Sequence, residues 1–279
     1  MDLTTYDNPT EYYGILNRQG FLTYPDNELL LGVLQSIISD PAGSQTTPFL
    51  ATVHQQESVV LAALMTPPWP IVIAADSATP EAFRPLTKHL KHNGISVSGV
   101  NAPQPIANRF VAEWCRHTSC TPTVKMDMRL YRLTNVQPVP PCPGRLVPVD
   151  GKYRDLALAW AYEFQRDVRI DDSTASIEPH VDAVIHSRNA FLWVDQQPVC
   201  MTFRERPHAA GVSIGYVYTP PQHRKKGYAT NLVAEVSRNA LHEGFRYCAL
   251  FADTKNPTTN HIYQEIGYRP VSDYSYYTF

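Results

Sequence analysis

The chain has 279 residues, 43% of them hydrophobic and 18% charged, with a formal net charge of −2. That is enough apolar material for a real core, in two domains of ordinary size or one large one. The near-neutral balance excludes a nucleic-acid binder whose affinity rests on an overall basic surface, although a local basic mouth remains open.

Asn27 to Ser39 carries Leu30, Leu31, Leu34, Ile37 and Ile38 at helical spacing, with Asp26 as the expected cap. Phe49 to His54, Ser58 to Met65 and Trp69 to Ala74 read as three strands. The most apolar stretch, Val59 to Ala75, is broken by Pro67, Pro68 and Pro70, which favours two buried strands over a membrane span. Thr79-Pro80-Glu81 starts a helix that Asn93-Gly94 ends, and Ile95 to Val100 is expected to be a strand. Pro105 to His117 is a further helix, and Thr123 to Leu133 alternates as a strand closing this half.

Cys115, His117 and Cys120 form the only tight Cys/His cluster, and no second cluster with ligand spacing follows. No metal is therefore expected, and helix-end residues explain these three. Five cysteines, an odd and scattered set, do not form a disulfide framework and favour a reducing compartment. The N-terminus, Met-Asp-Leu-Thr-Thr-Tyr-Asp, has neither a basic start nor an apolar core, so a soluble cytoplasmic protein without a signal peptide is expected.

Gln137 to Pro143, Gln-Pro-Val-Pro-Pro-Cys-Pro, is the clearest boundary, because its prolines discourage both helix and sheet. It divides the chain into residues 1–135, a linker at 136–143, and residues 144–279. After it come a strand from Arg145 to Val149 and helices over Lys152 to Asp167 and Ile177 to Ser187. Phe191 to Val194 and Val199 to Phe203 make a hairpin around Asp195-Gln196-Gln197, followed by a strand from Val212 to Tyr218. Leu232, Val233, Val236 and Ala240 form the stripe of a helix beginning near Thr230, which Gly244 caps. Tyr247 to Ala252 is a buried strand, Thr259 to Ile266 a short helix stopping at Gly267, and Tyr274 to Phe279 a last strand. The two halves share much the same element order, which suggests a distant duplication without a residue-level repeat.

Gln222 to Ala229, Gln-His-Arg-Lys-Lys-Gly-Tyr-Ala, joins a strand to a helix through a basic, glycine-containing turn. The first N–H groups of a helix have no internal partner and sit at the positive end of its dipole, so this is a ready anion site. Gly227 lacks the Cβ that would keep a phosphate off the backbone, and Arg224, Lys225 and Lys226 add charge. Alone, the pattern is also that of a solvated basic turn. The N-terminal half has no counterpart to it.

Arg145 to Phe279 resembles the GNAT superfamily of acyl-CoA-dependent N-acyltransferases. The matching stretches are Ser213-Ile-Gly-Tyr-Val-Tyr, Arg224-Lys-Lys-Gly-Tyr-Ala, and Asn256-Pro-Thr-Thr-Asn-His-Ile-Tyr263-Gln-Glu-Ile-Gly-Tyr268. The resemblance covers about half the chain, and the layout is similar to tandem members whose first copy has lost its cofactor motif. It implies a mixed, largely antiparallel twisted sheet flanked by helices (α/β, or α+β) in two tandem halves. It implies that acetyl-CoA is the acyl donor, with its pyrophosphate on Arg224, Lys225, Lys226, Gly227, Tyr228 and Ala229. Its pantetheine arm would lie along Val217 and Tyr218, with Asn256 bonding the arm and Tyr263 protonating the departing thiolate.

Core packing is the other reading of Val217, Tyr218 and Tyr263, and turn initiation that of Asn256. The acid that family members often carry on the strand before the turn is missing from Val212 to Tyr218. Glu205, His208, Asp171 or Asp172 could deprotonate the amine, but each also reads as a solvated loop residue. The expected partners are acetyl-CoA and a small primary amine that attacks directly, with neither nucleic acid nor membrane, in a monomer or homodimer. The alternatives are a non-catalytic acyl-CoA sensor or scaffold and a transferase using a longer acyl-CoA.

Overall fold

The computed structural model of the protein describes residues 1–40, 46–75, 80–169 and 177–279. In chain order the first elements are β1 (Asp2–Thr5), α1 (Pro9–Arg18), α2 (Glu28–Ser39), β2 (Phe49–Gln55), β3 (Ser58–Met65), β4 (Ile71–Ala75), α3 (Pro80–His92), β5 (Gly99–Pro103), α4 (Gln104–His117) and β6 (Thr123–Leu133). Then follow β7 (Arg145–Pro148), α5 (Arg154–Asp167), α6 (Glu178–His186), β8 (Ala190–Asp195), β9 (Gln197–Glu205), β10 (Gly211–Tyr218), α7 (Tyr228–His242), β11 (Tyr247–Asp253), α8 (Pro257–Ile266) and β12 (Arg269–Thr278). Two compact units result: Met1–Leu130 with Ala252–Lys255 and Val271–Phe279, and Tyr131–Phe251 with Asn256–Pro270.

In the first unit the strand order is β1-β2-β3-β4-β5-β12-β6. All the pairings from β1 to β4 are antiparallel, β4 and β5 run parallel, and β12 returns antiparallel to β5 with Tyr274 opposite Pro103. Alternation along β3, broken by a register shift between Val59 and Leu61, explains how both faces are covered. Leu61, Ala63 and Met65 pack with Phe83, Leu86, Leu90, Phe110 and Trp114 of α3 and α4. Val59, Ala62 and Leu64 pack with Tyr12, Leu16, Leu30 and Leu34 of α1 and α2.

The second unit has the order β11-β10-β9-β8-β7, antiparallel except for β10 beside β11. Ala157, Trp160 and Ala161 of α5 and Val181 and Val184 of α6 cover one face, over Leu192, Met201 and Phe203. On α7, Leu232, Val233, Val236 and Ala240 are all buried, as their spacing requires. The sheets are thus mixed and largely antiparallel with helices on their faces, the expected α/β class. No described helix is long and apolar enough to cross a membrane.

Some local expectations shift. Asp26 does not cap α2: it lies in the 3-10 turn Pro25–Asn27, and Asn27 takes the cap position with its amide donated to the Phe21 carbonyl at 2.6 Å. The strand expected over Ile95–Val100 forms four residues later, as β5. The reason is the end of α3: Gly94, at φ 62°, and Ile95 return their N–H groups to Lys91 and Leu90, so the chain leaves the helix only after Ile95. Two elements without strong periodicity, β1 and α1, are additional. The prolines of the linker do not make it a free tether. It is held by Gln137 N–H to the Ile266 carbonyl (2.8 Å), Asn231 Nδ2 to the Pro140 carbonyl (3.0 Å) and Trp193 Nε1 to the Pro143 carbonyl (2.8 Å).

Candidate functional site

The expected anion turn folds as an irregular bridge between β10 and α7. Pro221–His223 makes one 3-10 turn, Arg224 is extended, Lys225 is left-handed at φ 62°, and Gly227 follows at φ 82°. Gly227 is itself the helix cap, and no side chain bonds the first turn of α7. The first closing bond is Asn231 N–H to the Gly227 carbonyl (3.0 Å), so the N–H groups of Tyr228, Ala229 and Thr230 precede it at the positive end of the dipole. A Cβ on Gly227 would meet nothing closer than 3.6 Å, so glycine is required there for its φ rather than for room.

The side chains of the turn divide into two roles. Lys225 and Lys226 are exposed. Arg224 instead folds back, donating Nε to the Thr219 carbonyl (2.8 Å) and a terminal nitrogen to Asp167 (2.6 Å), and so braces the turn. Tyr228 is buried and donates its hydroxyl to Asp195 at 2.6 Å, which raises the phenol's pKa.

Upstream, β10 is paired with β11 only over Gly211–Ser213, against Tyr247–Ala249. Beyond that register the two strands are not joined, and the edge of Ile214–Tyr218 is left open on that side. On the other side the register with β9 slips between Gly215 and Tyr218, and Tyr216 takes φ 50°. A tyrosine at positive φ inside a strand marks a bulge that re-aims its neighbours. Thr202 steadies it by donating to the Gly215 carbonyl (2.8 Å). Tyr218 is buried against Trp160, ring centroids 6.1 Å apart, so the core-packing role of its side chain holds, and its backbone carries the open edge.

The second motif is built as a capped short helix. Asn256 caps α8 by accepting from Thr259 N–H at 3.2 Å, and its own amide nitrogen has no partner among the described residues. Gly267, at φ 113°, ends the helix: Gly267 and Tyr268 return N–H groups to Gln264 and Tyr263. That closure sets Tyr263 against Tyr268, ring centroids 6.0 Å apart, with Tyr131 on another side at 6.4 Å. The Tyr263 hydroxyl has no hydrogen-bond partner among the described residues. Burial, and next the nearby Cys200 thiol, push its pKa far up, so this phenol keeps its proton. Cys200 in turn accepts from Thr219 Oγ1 (3.1 Å), just past β10. Tyr131, which sequence reasoning missed, donates to Asn260 (2.7 Å) and accepts from Gln264 (3.2 Å), fixing α8. No local signal ties Tyr131 to a motif so far along the chain.

The candidate bases separate clearly. Asp171 and Asp172 lie outside the described residues. His208 is buried in the β9–β10 connection, not solvated, and its ring nitrogens meet Ala210 N–H and the Tyr247 hydroxyl, both at 3.4 Å. Glu205 is also no solvated loop residue: β9 extends two residues beyond Phe203 and buries it. Its Oε1 lies 3.0 Å from Nε2 of His180 on α6, a residue the sequence reading did not single out. A carboxylate only accepts, so Nε2 carries the hydrogen and Nδ1 is the basic nitrogen.

Burial opposes charge on both groups, but their mutual attraction and hydrogen bond outweigh it. The Glu205 carboxyl is held below its usual range and the His180 imidazole above its own. Tyr216, thrown out by the bulge, stacks its ring 5.4 Å from His180, 5.1 Å from Phe203 and 4.9 Å from Phe164. Gly215 leaves the space this needs, since a Cβ there would stand 3.0 Å from Glu205 Cγ. The second unit thus gathers, around one bulged strand, an uncapped helix start, an open backbone edge, a protonated buried phenol and a carboxylate–imidazole pair.

Residues 201–277 match a family model described as FR47-like protein. No curated protein matches the chain in sequence. Among solved structures, a Drosophila protein superposes at TM-score 0.73 and 10% identity over 99% of this chain and 98% of its own. A GNAT-family acetyltransferase from Colwellia psychrerythraea aligns over the full length of both chains at TM-score 0.58 and 10% identity. A tandem GNAT protein from the clavulanic acid biosynthesis pathway covers 100% of this chain and 98% of its own, at TM-score 0.62 and 13% identity. Identities this low establish the fold and no specificity. The chain thus has the fold of these GNAT-family structures, the tandem one included, and residues 201–277 within its second half are similar to the FR47-like family.

Proposed function

We propose that the chain is an acetyl-CoA-dependent N-acetyltransferase that acts on a small primary amine by direct attack on the thioester. One observation carries this reading: a bulged strand with an open edge leads straight into a helix start that no side chain caps. The N–H groups of Tyr228 to Thr230 receive the pyrophosphate, with Lys225 and Lys226 screening its charge. The backbone of Val217 and Tyr218 pairs with the amides of the extended pantetheine arm, as it would with a peptide strand. Asn256 presents its unused amide nitrogen to the same arm.

His180, held by Glu205, takes a proton from the amine through Nδ1, and Phe164, Phe203 and Tyr216 line the approach. The amine nitrogen then bonds to the thioester carbon, the carbon–sulfur bond breaks, and Tyr263 protonates the leaving sulfur. A cysteine relay is disfavoured because burial raises the Cys200 thiol to about 12, where it is a poor nucleophile at neutral pH.

Calorimetry with acetyl-CoA tests the reading directly. Binding in the micromolar range is expected, and no heat at millimolar ligand would sink it. Thiol release with a panel of amines then separates an enzyme from an acyl-CoA sensor, which would bind without turnover. Gly227→Ala forces a Cβ into φ 82°. The left-handed strain of about 1–2 kcal/mol should distort the turn and weaken acetyl-CoA binding roughly tenfold. An unchanged dissociation constant would remove the turn from the pyrophosphate site.

A further inference from the structure

The first unit carries a feature outside this chemistry. Helix α4 ends at His117, where Thr118 returns its N–H and its hydroxyl to the Trp114 carbonyl (3.1 and 2.9 Å). The chain then reverses in extended form and brings Cys120 back over the last helical turn, with its sulfur 2.6 Å from that of Cys115. That is only about half an ångström beyond a covalent sulfur–sulfur bond. Cys120 also packs against the unit's apolar core, which holds it in place. His117 does not join the two sulfurs; its Nε2 is 3.2 Å from Glu113 Oε1. Cys142 and Cys200 show no sulfur contact this short among the described residues.

We propose that Cys115 and Cys120 form a redox-active dithiol that closes to an intramolecular disulfide under a low-molecular-weight disulfide oxidant such as oxidised glutathione. One cysteine thiolate attacks the glutathione disulfide, forming a mixed disulfide and releasing one glutathione thiolate. The second cysteine attacks the protein sulfur of that adduct, so the Cys115–Cys120 bond forms and the second glutathione leaves. The two protons lost by the cysteines end on the two glutathione thiols, and the oxidant is reduced by the two electrons that the dithiol loses. Burial and the neighbouring sulfur raise the Cys115 thiol to about 11, so this cysteine rests as a thiol until an oxidant reaches it. Closure would tie the end of α4 to the segment entering β6.

The test treats the native protein with oxidised glutathione, blocks remaining thiols with an alkylating reagent, and maps peptides by mass. Expected is a Cys115–Cys120 cross-link lighter by two hydrogens, alkyl groups on the other three cysteines, and full reversal by dithiothreitol. Free thiols or lasting glutathione adducts at 115 and 120 would overturn the proposal. Cys120→Ser supplies a second check. It should trap a lasting glutathione adduct on Cys115, and the idea fails if the same adduct persists in the unaltered protein.

Discussion

Replacing Tyr263 by phenylalanine is expected to lower kcat by about a hundredfold or more, the usual scale for loss of a positioned acid. The acetyl-CoA dissociation constant should stay within about twofold, because in the proposed mechanism the hydroxyl acts on the departing sulfur and not in ground-state binding. The variant suits the test because the ring contacts to Tyr131 and Tyr268 survive and the hydroxyl leaves no partner unpaired. Thermal midpoint should therefore barely move, since only unmatched polar deletions and cavities cost much. With its pKa raised by burial, the phenol should also contribute no alkaline fall in rate below its ordinary value of about 10. Turnover that is unchanged in Tyr263→Phe would take this residue out of the mechanism.

His180→Gln is expected to lower kcat/KM by about 10²–10³-fold, the range for a general base. The pH profile discriminates catalysis from packing. The wild-type rate should fall as pH drops through the His180 value, which lies above the ordinary 6.5 because Glu205 favours the imidazolium. Glu205→Gln keeps the shape and removes the charge, so the same limb should move to lower pH. The other groups bearing on this site are Arg206, which opposes the imidazolium, and Tyr216, whose phenol is pushed up to about 12 by burial and by Glu205. If the limb is identical in wild type, His180→Gln and Glu205→Gln, the pair plays no part in proton removal.

The same pair gives a signed prediction for stability. Glu205 has a lowered folded value, so its contribution is present above the unfolded value of about 4.3 and is lost as pH falls through the folded one. His180 has a raised folded value, so its contribution is complete below about 6.5 and is lost as pH rises through the folded one. The pair therefore stabilises most between about pH 4.3 and 6.5. Urea midpoints of wild type and Glu205→Gln should differ most in that window and converge on either side.

Periodicity and punctuation in the sequence determined most of the architecture. The alternation of Thr123 to Leu133, the stripe of Leu232, Val233, Val236 and Ala240, and the stops at Gly94, Gly244 and Gly267 are local signals that survive in the folded chain. The glycine turn and the Asn256–Tyr263 helix were legible for the same reason, since each is a contiguous strand–turn–helix or capped-helix unit. Tertiary structure alone decided the rest. Ending β9 at Phe203 left Glu205 in a loop, whereas pairing Glu205 with Ser213 of β10 carries the strand on and turns its side chain inward to His180. The bulge at Tyr216 exists only as a register slip between two strands, and one strand cannot show it. Tyr131 and Tyr263, or Cys115 and Cys120 across a chain reversal, meet because packing places them together, and no period in the sequence encodes those distances.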